Sequence, residues 1–244
     1  MSKKVINQNT NYDSELLNSI ESNFIFNENP INRLKNSTDN LKKGNDVGGI
    51  DKVKELKELK LQINSIIDCD LKDSSKTIVL GDGNINSPIM LVGGAPGIEE
   101  DIAGLTFLGE VGDLLKKMLN AINIKKENIY STYAVNFRPP EDRKPTPKEI
   151  KRYSQFLQKQ ISIINPKLII LMGSTAMESL TGLNSKISTE RGRWKEVIVL
   201  NTTYSIMITF NPSYLLRAPE NKKYSWEDLK IIKQKIIDLK LNIY

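Results

Sequence analysis

The chain of 244 residues contains no histidine. That removes the one side chain whose ordinary pKa lies near neutrality, and with it the commonest general base and metal ligand. A single cysteine, Cys69, excludes an internal disulfide and makes a reducing cytoplasm the expected setting. No apolar run approaches the ~18 residues that cross a bilayer, so no membrane association is expected. The first residues, MSKKVINQNTNYD, lack the apolar segment of a secretory leader. What is present is a hydrophobic fraction of 39% with a mean hydropathy of -0.36, the composition of a globular protein with one good-sized core. A net charge of +6 and an isoelectric point near 9.1 suit an anionic partner such as nucleic acid, and equally a solvated lysine surface.

The composition changes along the chain. Residues 1–49 are mostly Asn, Ser, Lys and Asp, with two weak apolar patches (LLNSI and FIF), and read as a disordered or loosely docked arm. Residues 50–68 read as an amphipathic helix, with Val53, Leu56, Leu59, Leu61 and Ile63 at helical spacing. Residues 69–244 read as one domain in which strands and helices alternate. KTIVLGDG, PIMLVGG, NIYSTYAVNF and KLIILMG are strand-like, VIVLN and SIMITF suggest a closing hairpin, and amphipathic stretches separate them. Such alternation predicts an α/β fold, a three-layer α/β/α sandwich with a mostly parallel central sheet of about four strands.

Ligands of such sheets sit at the carboxyl ends of the strands. The loops of interest are therefore GGAPG (Gly93, Gly94, Ala95, Pro96, Gly97), NFRPPEDR (Asn136 to Arg143) and NPSYLLR (Asn211 to Arg217). GGAPG is a tight turn that lets backbone approach a ligand, but it lacks the Gly-Lys-Ser/Thr ending of a phosphate loop and the third glycine of a dinucleotide fingerprint. The Glu99-Glu100-Asp101 run after it reads as a solvated helix start that complements the helix dipole.

Taken in order, GGAPGIEEDIAGLTFLGEVGDLL, NFRPPEDRKPTPKEI, STERGRW and TFNPSYLLRAPENKKYSWEDL resemble the motifs of the family 4 uracil-DNA glycosylases, bacterial branch. The usual family forms are close to GEAPG-x-x-ED, RPP-x-NR-x-P, RG-x-W and HP-x-YLLR-P. The resemblance covers Cys69 to about Leu239. It implies a DNA repair hydrolase that flips a damaged base into a pocket and cleaves its N-glycosidic bond through a cationic sugar. It implies that the GGAPG loop, with Gly94 and Ala95, faces the sugar and attacking water. Phe107 would stack on the base, and Asn211 would meet its O2. The base reader falls on Tyr133. Arg138, Arg143, Arg191, Ser213 and Arg217 would contact DNA, with Leu215 and Leu216 as an apolar wedge.

The departures from the family fall on the chemistry. Gly94 replaces a glutamate, Tyr133 an asparagine that reads the amide edge of uracil, and Asn211 a histidine. Asn136, three residues beyond Tyr133, is expected on the opposite face of the strand. Family 4 also holds a 4Fe-4S cluster on four cysteines, and here those positions carry Cys69, Lys72, Phe137 and Tyr153. One thiolate does not hold such a cluster, so no cofactor is expected. Three readings stand side by side: a glycosylase of weakened or altered base choice, a DNA-binding relative without chemistry, and an interaction protein that keeps the fold. DNA is the expected partner of the first two, and a monomer is the expected state.

Overall fold

A computed structural model describes residues 51–67 and 69–243; the arm expected at residues 1–49 lies outside them. The first described element is α1 (Lys52–Asn64), started by the Asp51 carboxylate accepting the Lys54 amide. It buries Leu56, Leu59 and Ile63 and leaves Val53 and Leu61 exposed. After a short α2 (Asp70–Ser74) come β1 (Asp82–Gly83), β2 (Ile89–Gly93), α3 (Ile98–Ala103), α4 (Gly109–Asn120) and β3 (Tyr130–Tyr133). Then follow α5 (Pro147–Ile164), β4 (Leu168–Met172), α6 (Ser174–Thr181), α7 (Ile187–Glu190), β5 (Trp194–Val199), β6 (Thr202–Thr209), α8 (Pro212–Arg217) and α9 (Lys222–Asp238).

The sheet has six strands in the order β1-β3-β2-β4-β6-β5. The four inner ones, β3, β2, β4 and β6, are mutually parallel. The two beyond the expected four are antiparallel edges, β1 against β3 and β5 against β6. Strand alternation sorts the apolar side chains into two layers. Ile89, Leu91, Leu168, Ile170 and Met207 pack with α4, α8 and α9 on one face. Met90, Val92, Ile169, Leu171 and Ile206 pack with α5 and α6 on the other. The α/β/α sandwich follows from that division. None of the helices is long and apolar enough to cross a membrane among the described residues.

The strand expected over KTIVLGDG is shorter than its apolar run, because side chains capture its backbone first. The Asp101 carboxylate takes the amides of Lys76 and Thr77, and the Leu80 carbonyl accepts from Thr132 Oγ1 and Gln160 Nε2. Only Asp82 and Gly83 remain to pair with β3.

A third apolar cluster lies outside the sandwich, where α1 and α2 meet the outer side of α5. Leu59, Ile63, Leu71 and Ile150 surround Cys69, Phe137 and Tyr153 there. The Cys69 thiol and Tyr153 hydroxyl are 3.3 Å apart, and the Phe137 and Tyr153 rings meet edge to face at 6.2 Å. Burial is the main cause that pushes the Tyr153 phenol far above its ordinary range.

α5 begins with a complete capping box. Thr146 Oγ1 accepts the Glu149 amide, and the Glu149 carboxylate accepts the Thr146 amide. Arg143 adds a two-pronged contact at 2.9 and 2.7 Å, and that bond chiefly lowers the Glu149 carboxyl to about 2. A depressed carboxyl stabilises the fold above its unfolded pKa and loses that contribution as pH falls toward the folded value. Glu149→Gln is therefore expected to be less stable than the parent at pH 6, with the gap narrowing as pH drops from about 4.5 toward 2. Urea denaturation across that range checks it, and a gap independent of pH would refute it.

Candidate functional site

Because the four inner strands run in parallel, their carboxyl ends open on one edge of the sheet, and a cleft of about 870 Å³ lies there. Its walls come from the segment after β2 (Gly94, Ala95, Pro96, Gly97), from Phe107, from Tyr133 at the end of β3, and from Asn211, Ser213 and Arg217 after β6. The structure thus brings together most of the residues singled out from the sequence. It also adds one wall that the sequence reading passed over, the turn after β4 with Gly173, Ser174 and Thr175. The buried run KLIILMG ending in glycine carried the same strand-end signal as the other three loops.

Register sets the floor. Gly93 stands opposite Tyr133 in the β2–β3 ladder, so the Tyr133 ring lies over Gly93 itself. A Cβ at Gly93 would sit 2.6 Å from two carbons of the Tyr133 ring and 2.8 Å from the tip of Phe107. Only glycine fits beneath that pair. The two rings are 5.0 Å apart at 41°, and they are 2% and 4% exposed for Phe107 and Tyr133. Phe107 is held at φ 51, a left-handed conformation that a bulky residue rarely adopts. Its loop is fastened by Lys126, which donates to the Thr106 and Phe107 carbonyls, and by Asp82, which accepts the Thr106 amide.

One carboxylate joins these pieces. Glu100 Oε2 accepts the Gly97 amide at 3.0 Å, and Oε1 accepts the Leu108 amide at 2.9 Å and the Tyr133 hydroxyl at 3.3 Å. The Phe107 amide donates in turn to the Tyr133 oxygen at 2.9 Å. Burial first, then the nearby Glu100 charge, raise the Tyr133 phenol well above its ordinary pKa, so it remains an O–H donor. The expectation of a solvated acidic run is corrected here. Glu99 is exposed, but Glu100 and Asp101 are buried, each satisfied by backbone amides as a buried carboxylate requires. The Gly97-x-x-Glu100 spacing of a capping box was the available signal.

Asn211 is the N-cap of α8. Its Oδ1 accepts the Ser213 amide and hydroxyl, both at 2.9 Å, and its Nδ2 donates to the Met172 carbonyl at 3.3 Å. Asn211 lines the cleft, and among the described residues its Nδ2 has no second acceptor. Gly94 backs onto Thr175, whose Cβ would lie 3.3 Å from a Cβ at Gly94. Asn136 turns away, its amide donating to the Val79 carbonyl.

The residues expected to touch DNA divide. Leu215 is fully buried in the core, whereas Leu216 is 37% exposed, so the apolar wedge is at most one residue. Arg191 is not a free surface cation either. Its guanidinium grips the fully buried Asp228 at 3.0 and 2.7 Å, and Asp228 also accepts from Thr209 Oγ1 at 2.6 Å, which ties α9 to β6. Arg143 lines the cleft, and Arg138 and Arg143 are paired with Asp142 and Glu149. Among the described residues no carboxylate pairs with Arg217, and no group of three or more Cys, Asp or Glu is placed to hold a metal.

Comparison with known proteins agrees with this geometry. A family model described as the uracil DNA glycosylase superfamily matches residues 80–231. The chain is 38% identical over 154 residues to the type-4 uracil-DNA glycosylase of Thermotoga maritima, covering 63% of this chain and 79% of that protein. It is 31% identical over 184 residues to that of Archaeoglobus fulgidus, covering 74% and 92%. A third, from Pyrobaculum aerophilum, is 30% identical over 179 residues, covering 72% and 91%.

The Arg191 clamp yields a direct test. Arg191→Ala leaves a buried carboxylate unpaired and is expected to destabilise the protein by about 3 kcal/mol in urea denaturation. Unchanged stability would refute the clamp.

Proposed function

We propose, from the premise that the chain belongs to the uracil-DNA glycosylase superfamily, that it is a cytoplasmic, monomeric DNA repair protein whose uracil excision is weakened. The observation that carries this reading is the contact between Tyr133 and Phe107. The resemblance to family 4 gives these two positions to reading and stacking the base, and here each ring covers the other. Both line the cleft, but with 2% and 4% exposure each offers a pyrimidine little of its ring.

The remaining chemistry points the same way. Leaving-group departure from a nucleoside needs a donor aimed at the anion that develops on the base. Asn211 lines the cleft but is neutral; its Oδ1 serves the start of α8 and its Nδ2 donates to the Met172 carbonyl at the end of β4. Gly94 supplies no carboxylate to the loop that faces the sugar. The residues at the positions of the family's iron–sulfur cluster do not fit that group. Cys69 is the only thiol of the chain, Lys72 donates to the Asn64 and Ile66 carbonyls, and Phe137 and Tyr153 pack as an apolar filling. No step is derived through a cluster.

Labelled uracil-containing single- and double-stranded oligonucleotides, scored for abasic sites, test the reading. The parent is expected to be slow, and Asn211→Ala to lower its rate by ~100-fold or to background. Asn211→His is expected to raise it, and Gly94→Glu with Tyr133→Asn added to raise it further. Robust parental excision that Asn211→Ala leaves untouched would overturn the assignment. Elemental analysis of the purified protein is expected to find no stoichiometric iron and its spectrum no visible cluster band; either one would overturn the cofactor reading.

A further inference from the structure

The SWEDL segment (225–229) opens α9, and most of it serves the fold. Ser225 and Leu229 are buried, and Asp228 holds Arg191. Trp226 does not share that role, for it is 45% exposed. Helical spacing sets it in one row with Lys222, Lys230, Lys233 and Ile237, alongside the buried row of Ser225, Leu229, Ile232 and Ile236. Lys222, Lys230 and Ile237 are exposed, and Lys233 is half-buried. Successive members of the row stand about 4.5 to 6 Å apart along the axis. No acid interrupts it. Glu227 turns to Arg191 at 3.7 Å, and Asp238 accepts from Gln234. Among the described residues no carboxylate pairs with Lys222, Lys230 or Lys233.

The direction of the row narrows what it can hold. Asn221, just before α9, lines the cleft. Beyond the far end of α9, the Ile243 carbonyl accepts from Asn128 Nδ2, just ahead of β3. α9 therefore descends from the mouth of the cleft to the opposite edge of the sheet. A duplex is stiff over roughly 50 nm and does not turn down such a helix. A single strand does. Lysines at this pitch meet its phosphates, and an exposed indole stacks on any base. An acidic peptide answers the lysines but leaves the indole without a flat partner. We propose that this flank of α9 is a track for unpaired single-stranded DNA, with a base stacked on Trp226 and the phosphates met by Lys222, Lys230 and Lys233. The track rests on the DNA reading above and lies outside the cleft.

Three probes are titrated into the full chain at about 50 mM salt: an oligothymidine, a blunt duplex and polyglutamate. Affinity is read by anisotropy of labelled probe and stacking by intrinsic tryptophan fluorescence. The chain has two tryptophans, Trp194 and Trp226, so each can be silenced in turn. Oligothymidine is expected to quench the parent and Trp194→Phe, and not Trp226→Phe. Trp226→Ala is expected to weaken oligothymidine binding about fivefold or more and to leave the blunt duplex unchanged. Lys230→Gln with Lys233→Gln is expected to lower the slope of log affinity against log salt for oligothymidine by about 1.4. Thermal melts establish that the variants fold, and Trp226→Phe keeps a ring where Trp226→Ala does not. Oligothymidine binding that neither Trp226→Ala nor the lysine pair alters would overturn this proposal and leave the DNA reading standing. Equal weakening of the blunt duplex by Trp226→Ala would overturn it in favour of a duplex contact. Polyglutamate binding as tight as that of oligothymidine, and as sensitive to Trp226→Ala, would overturn it in favour of an acidic protein partner. No binding to either DNA would overturn both readings.

Discussion

The mouth of the cleft is organised by a buried carboxylate. Glu100 is 6% exposed, and a charge taken out of water must be met by donors. Its donors come from three separate places: the turn after β2, the loop that carries Phe107, and the end of β3. Because each donation needs its segment at one distance and angle, the carboxylate sets where those segments stand relative to one another. The left-handed backbone at Phe107 persists under the same constraint, since Lys126 and Asp82 hold the flanking peptides while Glu100 holds Leu108. Strain of this kind survives only where the surroundings over-determine it.

Next to the cleft, packing plays a comparable organising role. α1 and α2 reach the body through the cluster of Leu59, Ile63, Leu71, Phe137 and Tyr153, against which Ala95 of the cleft wall also packs. Apolar contact has little directionality, and the edge-to-face ring pair together with the Cys69–Tyr153 contact add some. Lys52 adds a polar tie, its ammonium donating to the Ile85 and Ile164 carbonyls.

The inner strands and most cleft walls were legible in the sequence because their signals are local. Fully apolar runs ending in glycine announced β2 and β4, and the Pro-rich and Asn-Pro segments announced the loops that follow β3 and β6. What could not be read was whatever depends on a partner far along the chain. Arg191 looks like any rim cation until Asp228, 37 residues later, captures it. Leu215 and Leu216 are alike as letters, and only the pitch of α8 against the core separates the buried one from the exposed one. The apolar run at Lys76–Leu80 has strand character, yet Asp101, Thr132 and Gln160 claim its backbone. The contact of Tyr133 with Phe107 needed both the register of β2 with β3 and the left-handed turn at Phe107. Neither leaves a mark in composition or spacing.

The two carboxylate-paired arginines carry a consequence for how fast a polyanion can come and go. Arg138 and Arg143 each already hold a carboxylate by two prongs. A phosphate that engages either one must displace Asp142 or Glu149, and the displaced acid then attracts a cation from solution. The exchange is isoelectric within the protein, so part of the ion release that favours polyanion association is cancelled by ion uptake. Internal counter-anions of this sort soften long-range attraction while leaving short-range geometry intact.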